Sequence, residues 1–437
     1  MNARNKSLLG LAALSLLATT APAAQPLAPL PAASATLPAA GAVSAFYSRW
    51  RAAPIWFQGP VARPAARQLA GILRRAPLDG LASGPQLAAE VEAAIARAAS
   101  GNPAAVAAAE QTLSAAWVMY VQAVKRPTTG MYYASPVLAP QGSRPDLVLL
   151  AAAKAPSLEA HLTAVSNVNP LYAQIRDTAW AEAQASGNAT LDPRVLANLD
   201  RARSIPGTGR FVVVDSAGQR MTMFENGRAV DSMKVIVGTS EFATPMIASY
   251  IHYITLNPYW DSPDHLVRRN IAPKVVSEGL GYLKARGYEV MADWTETSAV
   301  IPPEKIDWKA VAAGKTQIRI RQKPGPDNFM ATMKIPFQNK DDIYLHDTPA
   351  KALFAKSQRA LSNGCVRLED APRFARWLLG GRDAVTSSKE PEQHLQLAVG
   401  VPIYLTYLTA QPENGKINYV ADVYGWDQAA TQRLAAR

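Results

Sequence analysis

Cys365 is the only cysteine in the 437 residues of this chain, and His346 stands 19 positions before it. A free thiol titrates near ~8.5, so little of it is thiolate at neutral pH, and a nucleophilic cysteine needs a neighbouring base or cation. His346 is the candidate base. Together the two side chains would support acyl transfer: the imidazole draws the thiol proton, the thiolate attacks a carbonyl carbon, and the imidazolium then protonates the leaving amine. Backbone N–H groups of Gly364 and Cys365 are the candidate oxyanion donors. A lone cysteine is equally at home as a small buried apolar residue; its neighbours Ser362, Asn363, Gly364 and Arg367 favour the chemical reading.

The local sequence says how such a pair would be held. Ile343-Tyr-Leu345 reads as a strand that delivers His346 to its end, and Ser362-Asn-Gly364 is turn chemistry that would set Cys365 just before a helix. In that helix Asp370 caps, Pro372 suits the first turn, Phe374, Trp377 and Leu378 form the buried face, and Gly380-Gly381 stops it. Arg367 offers a bidentate hold on a substrate carboxylate, or else pairs structurally with Glu369 or Asp370.

With these residues in view, the chain resembles the L,D-transpeptidases, whose YkuD-type catalytic domain remodels bacterial peptidoglycan. The resemblance rests on His346-Asp-Thr-Pro349, Leu353-Phe354, Arg359-Ala360 and Ser362-Asn-Gly-Cys-Val-Arg367. Val235-Ile-Val-Gly238, Thr244-Pro245 and Leu256-Asn-Pro-Tyr-Trp260 add to it, so that it spans about 210–426. The longer string is similar to the YcbB-like periplasmic branch. One departure stands out: many relatives have a second histidine directly before Gly-Cys, where this chain has Asn363. The resemblance implies a site in a groove beside a β-rich fold, with Tyr259 and Trp260 walling that groove or packing beneath it. It also implies that the acceptor orienting His346 is Asp347, through its side chain or a backbone carbonyl.

Composition sets the context. An apolar fraction of 49% is enough to bury ordinary cores, and the length suggests two or three domains. Arg4 and Lys6 ahead of the apolar run Leu8 to Leu17, then Ala21-Pro-Ala-Ala24, read as a signal peptide over 1–24, which implies export to the periplasm. That run is too short for a membrane span of about 20 residues, so no transmembrane anchor is expected. A single cysteine excludes an internal disulfide and a thiolate-rich metal site; neither a metal nor an organic cofactor is expected. The net charge of +11 suits an anionic neighbourhood such as cell wall or lipid headgroups, or simply a soluble basic surface. Export and the lack of a compact Lys/Arg run disfavour nucleic acid.

The expected fold is multidomain α+β. Residues 25–42 read as a disordered tether and 43–206 as an α-helical scaffold domain, with Phe46, Trp50 and Trp56 opening its first helical pattern. Leu69, Ile72 and Leu73 continue that pattern, then Leu113, Trp117, Tyr120, Val121 and Val124, and a last helix opens at Asp192-Pro193. From Arg210 the period changes to that of strands, with Asn226-Gly227 marking a hairpin. A mostly-β sandwich or barrel is expected over 207–428, with Gln317 to Arg321 returning to it after an insertion and Ile417 to Val423 helping to close it. The insertion, 261–316, is expected to be a helical lid facing the stem peptide with basic residues.

By resemblance, the activity is peptidoglycan L,D-transpeptidation: Cys365 attacks the L-centre carbonyl of diaminopimelate in a tetrapeptide stem, releases D-Ala, and passes the acyl group to a diaminopimelate amine of a second stem. Carbapenem β-lactams would then be covalent inhibitors. Water, a D-amino acid or a protein lysine as acceptor uses the same acyl-enzyme and gives an L,D-carboxypeptidase or a protein-to-wall linkage. A non-catalytic wall-binding scaffold is the alternative of another class, and the intact Cys365 and His346 argue against it. A papain-like protease is disfavoured because there the cysteine precedes the histidine in the chain.

Overall fold

The computed structural model describes residues 36–435, except 188–190, 296 and 386–387. The expected signal peptide and the first part of the expected tether lie outside these residues. The rest of that tether is not a tether: the helix Thr36–Arg49 runs through it and buries Ala39 and Val43 in the N-terminal core. Trp56 is likewise not helical. It lies in the connection to the next helix and is fully buried, its indole N–H donating to Ser114 Oγ at 2.9 Å.

The helices Pro64–Arg75, Gly84–Ala98 and Pro103–Val124 pack through the stripes read from the sequence, with Leu69, Leu73, Val91, Leu113, Trp117 and Tyr120 in one core. Where this unit meets the later helix Pro170–Ser186, Asp79 is buried between the hydroxyls of Tyr120 and Tyr172, at 2.9 and 2.8 Å, and the guanidinium of Arg176 at 3.9 Å. The helix Pro193–Ala202, capped by the Asp192 side chain, leads to the β-rich region.

That region supplies nine strands of a ten-stranded sheet, and Tyr132–Tyr133 of the preceding part adds the tenth by pairing parallel to Ile247–Leu256. Arg210–Asp215, Arg220–Glu225 and Arg228–Gly238 form a meander, joined at Asn226-Gly227 with φ of 51° and 78°, the left-handed pair that a tight hairpin turn requires. On one side the meander continues through Val366–Leu368 and Tyr344–His346 to Met333–Pro336; on the other it continues through Gln393–Thr406 to Ile247–Leu256. Met333–Pro336 then pairs with Ile247–Leu256, Met333 opposite Leu256 and Lys334 opposite Thr255. The sheet therefore closes on itself as a barrel and leaves the pairing strands no open edge. Val212, Met223, Val235, Ile254, Leu345, Val366 and Ile403 fill it, and Phe374 and Leu378 of the helix Ala371–Leu378 join the same core.

Two expectations about this region are corrected. Arg319–Gln322 does not return to the barrel: it pairs with Trp260–Ser262 and Tyr288–Met291, with Val300–Ile301 completing a separate four-stranded sheet. The insertion is thus an α/β subdomain rather than a purely helical one, with a core of Trp260, Val267, Ile271, Val290, Trp308 and Ile320. Likewise Lys416–Tyr419, within the segment expected to close the barrel, pairs only with Ala410–Glu413 as a two-stranded ribbon.

Candidate active site

Tyr344–His346 and Val366–Leu368 are parallel neighbours, with Leu345 opposite Val366 and His346 opposite Arg367. Leu345 and Val366 point into the barrel core. Side chains alternate along a strand, so Tyr344, His346, Cys365 and Arg367 all stand on the outer face. On the other side of His346, Lys334 sits opposite it in the antiparallel pair and shares that face. The register of three short strands therefore brings a phenol, an imidazole, a thiol and two cations together.

His346 is 5% exposed. Its Nδ1 donates to the backbone carbonyl of Asp347 at 2.6 Å; a carbonyl only accepts, so Nδ1 carries the proton and Nε2 keeps a lone pair. The Asp347 carboxylate turns away from the ring. It accepts from Thr332 Oγ1 at 2.8 Å, the Thr348 N–H at 2.8 Å and Lys351 Nζ at 2.7 Å, and the same ammonium also reaches the carbonyl of Glu369 at 2.8 Å. Burial first, then the Arg367 guanidinium, pushes the His346 pKa from its ordinary 6.5 down to about 3, Lys334 adding to the push and Asp347 opposing it. The imidazole is held neutral with a free acceptor nitrogen.

Cys365 is half-buried. Burial raises its thiol pKa, while Tyr344, through its backbone and its side chain, and the charges of Lys334 and Arg367 pull it down. The turn before it is tightly specified. Gly364 has φ +109°, and a Cβ there would lie 3.0 Å from Ile343 Cδ1, so only glycine fits. Ser362 Oγ donates to the Cys365 carbonyl at 2.6 Å and accepts from the Gly364 N–H at 3.2 Å. Thr244 Oγ1 donates to the Gly364 carbonyl at 2.7 Å and accepts from the Gly238 N–H at 2.9 Å. Asn363 is exposed at the rim, its Oδ1 3.4 Å from Nε2 of His265 on the insertion.

Several expectations about the site change. Cys365 does not directly precede a helix; the strand Val366–Leu368 intervenes, because Val366 and Leu368 are barrel residues. The Gly364 N–H, expected as an oxyanion donor, is committed to Ser362 Oγ. Arg367 does not pair with Glu369, which accepts from the Lys234 N–H, or with Asp370, which caps its helix and pairs with Arg373 at 3.3 Å. Trp260 is buried in the insertion core, its ring 4.4 Å from that of Phe329, and Tyr344 packs against that core from the side of the site. Tyr259 lies under the Arg321 guanidinium, 4.0 Å from its ring centroid. Sequence reasoning did not single out Tyr344, Lys334, Thr332 or Lys351. Tyr344 was findable, since two residues from His346 on a strand means the same face; Lys334 needed the register.

Residues 209–389 match the family model of the L,D-transpeptidase catalytic domain (YkuD), and residues 41–178 match that of the Scaffold domain. The chain thus carries a YkuD-type catalytic domain behind a Scaffold domain. A curated Haemophilus influenzae protein named "Putative L,D-transpeptidase" is 27% identical over 321 residues, which span 71% of this chain and 64% of that protein. Among solved structures, an L,D-transpeptidase from Mycobacterium smegmatis is 14% identical with a TM-score of 0.23, over 46% of this chain and 59% of its own. The Ldtfm-avibactam carbamoyl enzyme is 10% identical with a TM-score of 0.22, over 46% of this chain and 50% of its own.

Proposed function

We propose that this protein is a peptidoglycan L,D-transpeptidase that works through a Cys365 acyl-enzyme. The observation that carries the proposal is the register that puts His346, with Nδ1 protonated and Nε2 free, on the same outer face as Cys365, one strand away. His346 Nε2 takes the thiol proton and the thiolate attacks the L-centre carbonyl of diaminopimelate in a tetrapeptide stem. The Cys365 N–H and the Tyr344 hydroxyl stabilise the oxyanion, a division of labour supported by the engagement of the Gly364 N–H elsewhere. The imidazolium then protonates D-Ala as it leaves. A diaminopimelate amine of a second stem attacks the thioester, His346 taking its proton, and the cross-link is released with Cys365 regenerated.

In this reading Asp347 orients His346 through its backbone, Ser362 and Gly364 shape the turn, Asn363 lies at the rim, and Arg367 holds a substrate carboxylate. Trp260 supports the site from behind Tyr344, and Tyr259 is packing. The protein acts in the periplasm on stem peptides, and carbapenem β-lactams acylate the same thiol. No helix among the described residues is long and apolar enough to cross a membrane.

The test is incubation of the purified protein with disaccharide-tetrapeptides, with mass spectrometry of the products. Dimers joined through two diaminopimelates support the proposal. Tripeptide alone would make the protein an L,D-carboxypeptidase, and unchanged substrate would contradict the enzymatic reading.

A further inference from the structure

Lys334, His346 and Arg367 stand in one row across three strands, Lys334 opposite His346 and His346 opposite Arg367. Met333, Ile335, Leu345 and Val366 occupy the core face, so all three point outward. Neighbouring strands lie about 4.8 Å apart, and the imidazole is therefore flanked by an ammonium and a guanidinium. Both cations are half-buried, and among the described residues neither has a carboxylate at ion-pair distance. The acids around them are committed: Asp347 to Lys351 and Thr332, Glu369 to the Lys234 N–H, Asp370 to Arg373. The Lys334 ammonium lies 4.4 Å from the Tyr344 ring centroid, on the same face as the site. Partly desolvating a cation on each side of the imidazole without a counter-ion is unfavourable. A fold that keeps such a pair at a reactive site is shaped for an anion supplied from outside.

Resting on the transpeptidase reading, we propose that Lys334 and Arg367 form a carboxylate subsite astride His346, and that a carboxylate of the donor stem seated there completes the base. When the Cys365 proton moves to His346 Nε2, an imidazolium forms between two cations, with the Asp347 carbonyl on Nδ1, the more distant Asp347 carboxylate and the new thiolate to favour it. A bound carboxylate offsets part of that positive field. It therefore assists the proton transfer itself and acts on kcat as well as on KM. The carboxylate comes from diaminopimelate or from the terminal D-Ala, and each can be removed separately by amidation.

Calorimetric binding to the Cys365→Ala protein tests the subsite without any turnover. The free tetrapeptide should bind, one of the two singly amidated forms should bind at least tenfold more weakly, and Lys334→Met in the same background should erase that difference while Lys334→Arg preserves it. Equal binding of all three peptides, or discrimination that survives Lys334→Met, would overturn the subsite. In the wild type the discriminated amide should lose at least tenfold in kcat; an unchanged kcat would overturn the assisting role. Absence of turnover with every donor would contradict the transpeptidase reading, and the binding comparison would still decide the subsite.

Discussion

The Nδ1 of His346 and the carbonyl oxygen of Asp347 lie 2.6 Å apart, while the carboxylate of that aspartate faces the opposite way, onto Thr332 and Lys351. The base is thus oriented by backbone, and the acidic side chain serves the loop that carries this backbone. Lys351 extends the tie to the carbonyls of Leu368 and Glu369, at the end of the strand that follows Cys365.

Asp347→Ala should accordingly lower stability by ~1–3 kcal/mol through lost buried hydrogen bonds, yet slow acylation of the folded protein by less than about tenfold. Denaturant midpoints and single-turnover acylation rates separate the two effects. A loss of several orders of magnitude in the rate would give the orienting role to the carboxylate.

Tyr344→Phe removes a hydroxyl beside the thiol and keeps the ring, which lies 4.4 Å from the Lys334 ammonium and edge-on to the His346 imidazole. The fold should be unchanged, and acylation by a carbapenem, followed by intact mass, should slow by roughly 10–100-fold. An unaltered rate would remove Tyr344 from the oxyanion site.

Gly364→Ala places a Cβ where φ is +109° and where Ile343 Cδ1 is 3.0 Å away. The turn must deform, at a cost of ~1–3 kcal/mol, and because Cys365 is the next residue, acylation should fall at least as far as in Tyr344→Phe. Thermal melts together with the same mass assay check this. Wild-type rates would mean that the turn tolerates the side chain.

His346 gives the protein a pH-dependent stability. Its folded pKa of about 3 lies below the unfolded value of 6.5, so at intermediate pH the unfolded chain binds a proton that the native state refuses. The contribution is fully present above pH 6.5 and is lost as pH falls toward 3. At pH 4.5 the wild type should have lost on the order of 2 kcal/mol more than His346→Gln, relative to pH 7. Urea midpoints of both proteins at the two pH values measure it, and parallel losses would place the imidazole in contact with solvent.

Local signals carried much of this structure. Asp370, Pro372 and the glycines at 380 and 381 delimited the helix Ala371–Leu378 because capping and termination are decided within a few residues. Asn226-Gly227 did the same for the hairpin, and Cys365 with His346 was legible from residue type alone. What was not legible depends on pairing between distant segments. An alternating stretch such as Arg319–Gln322 reads the same whether it joins the barrel or the insertion sheet, so the sequence shows the helices of the insertion and not its sheet. The row Lys334, His346, Arg367 exists only in the register of three strands. The commitment of the Gly364 N–H to Ser362 is likewise a matter of a few tenths of an ångström in a folded turn, which composition cannot encode.

Peptide mapping of the acid-quenched reaction tests the Cys365 acyl-enzyme most directly. The protein is mixed with disaccharide-tetrapeptide, stopped within the first turnover and digested. The account predicts a disaccharide-tripeptide adduct on the peptide containing Cys365, accompanied by one equivalent of D-Ala, and absent from Cys365→Ala and from His346→Ala at the same time point. Release of D-Ala by Cys365→Ala, or turnover by the wild type with an adduct on any residue other than Cys365, would contradict it.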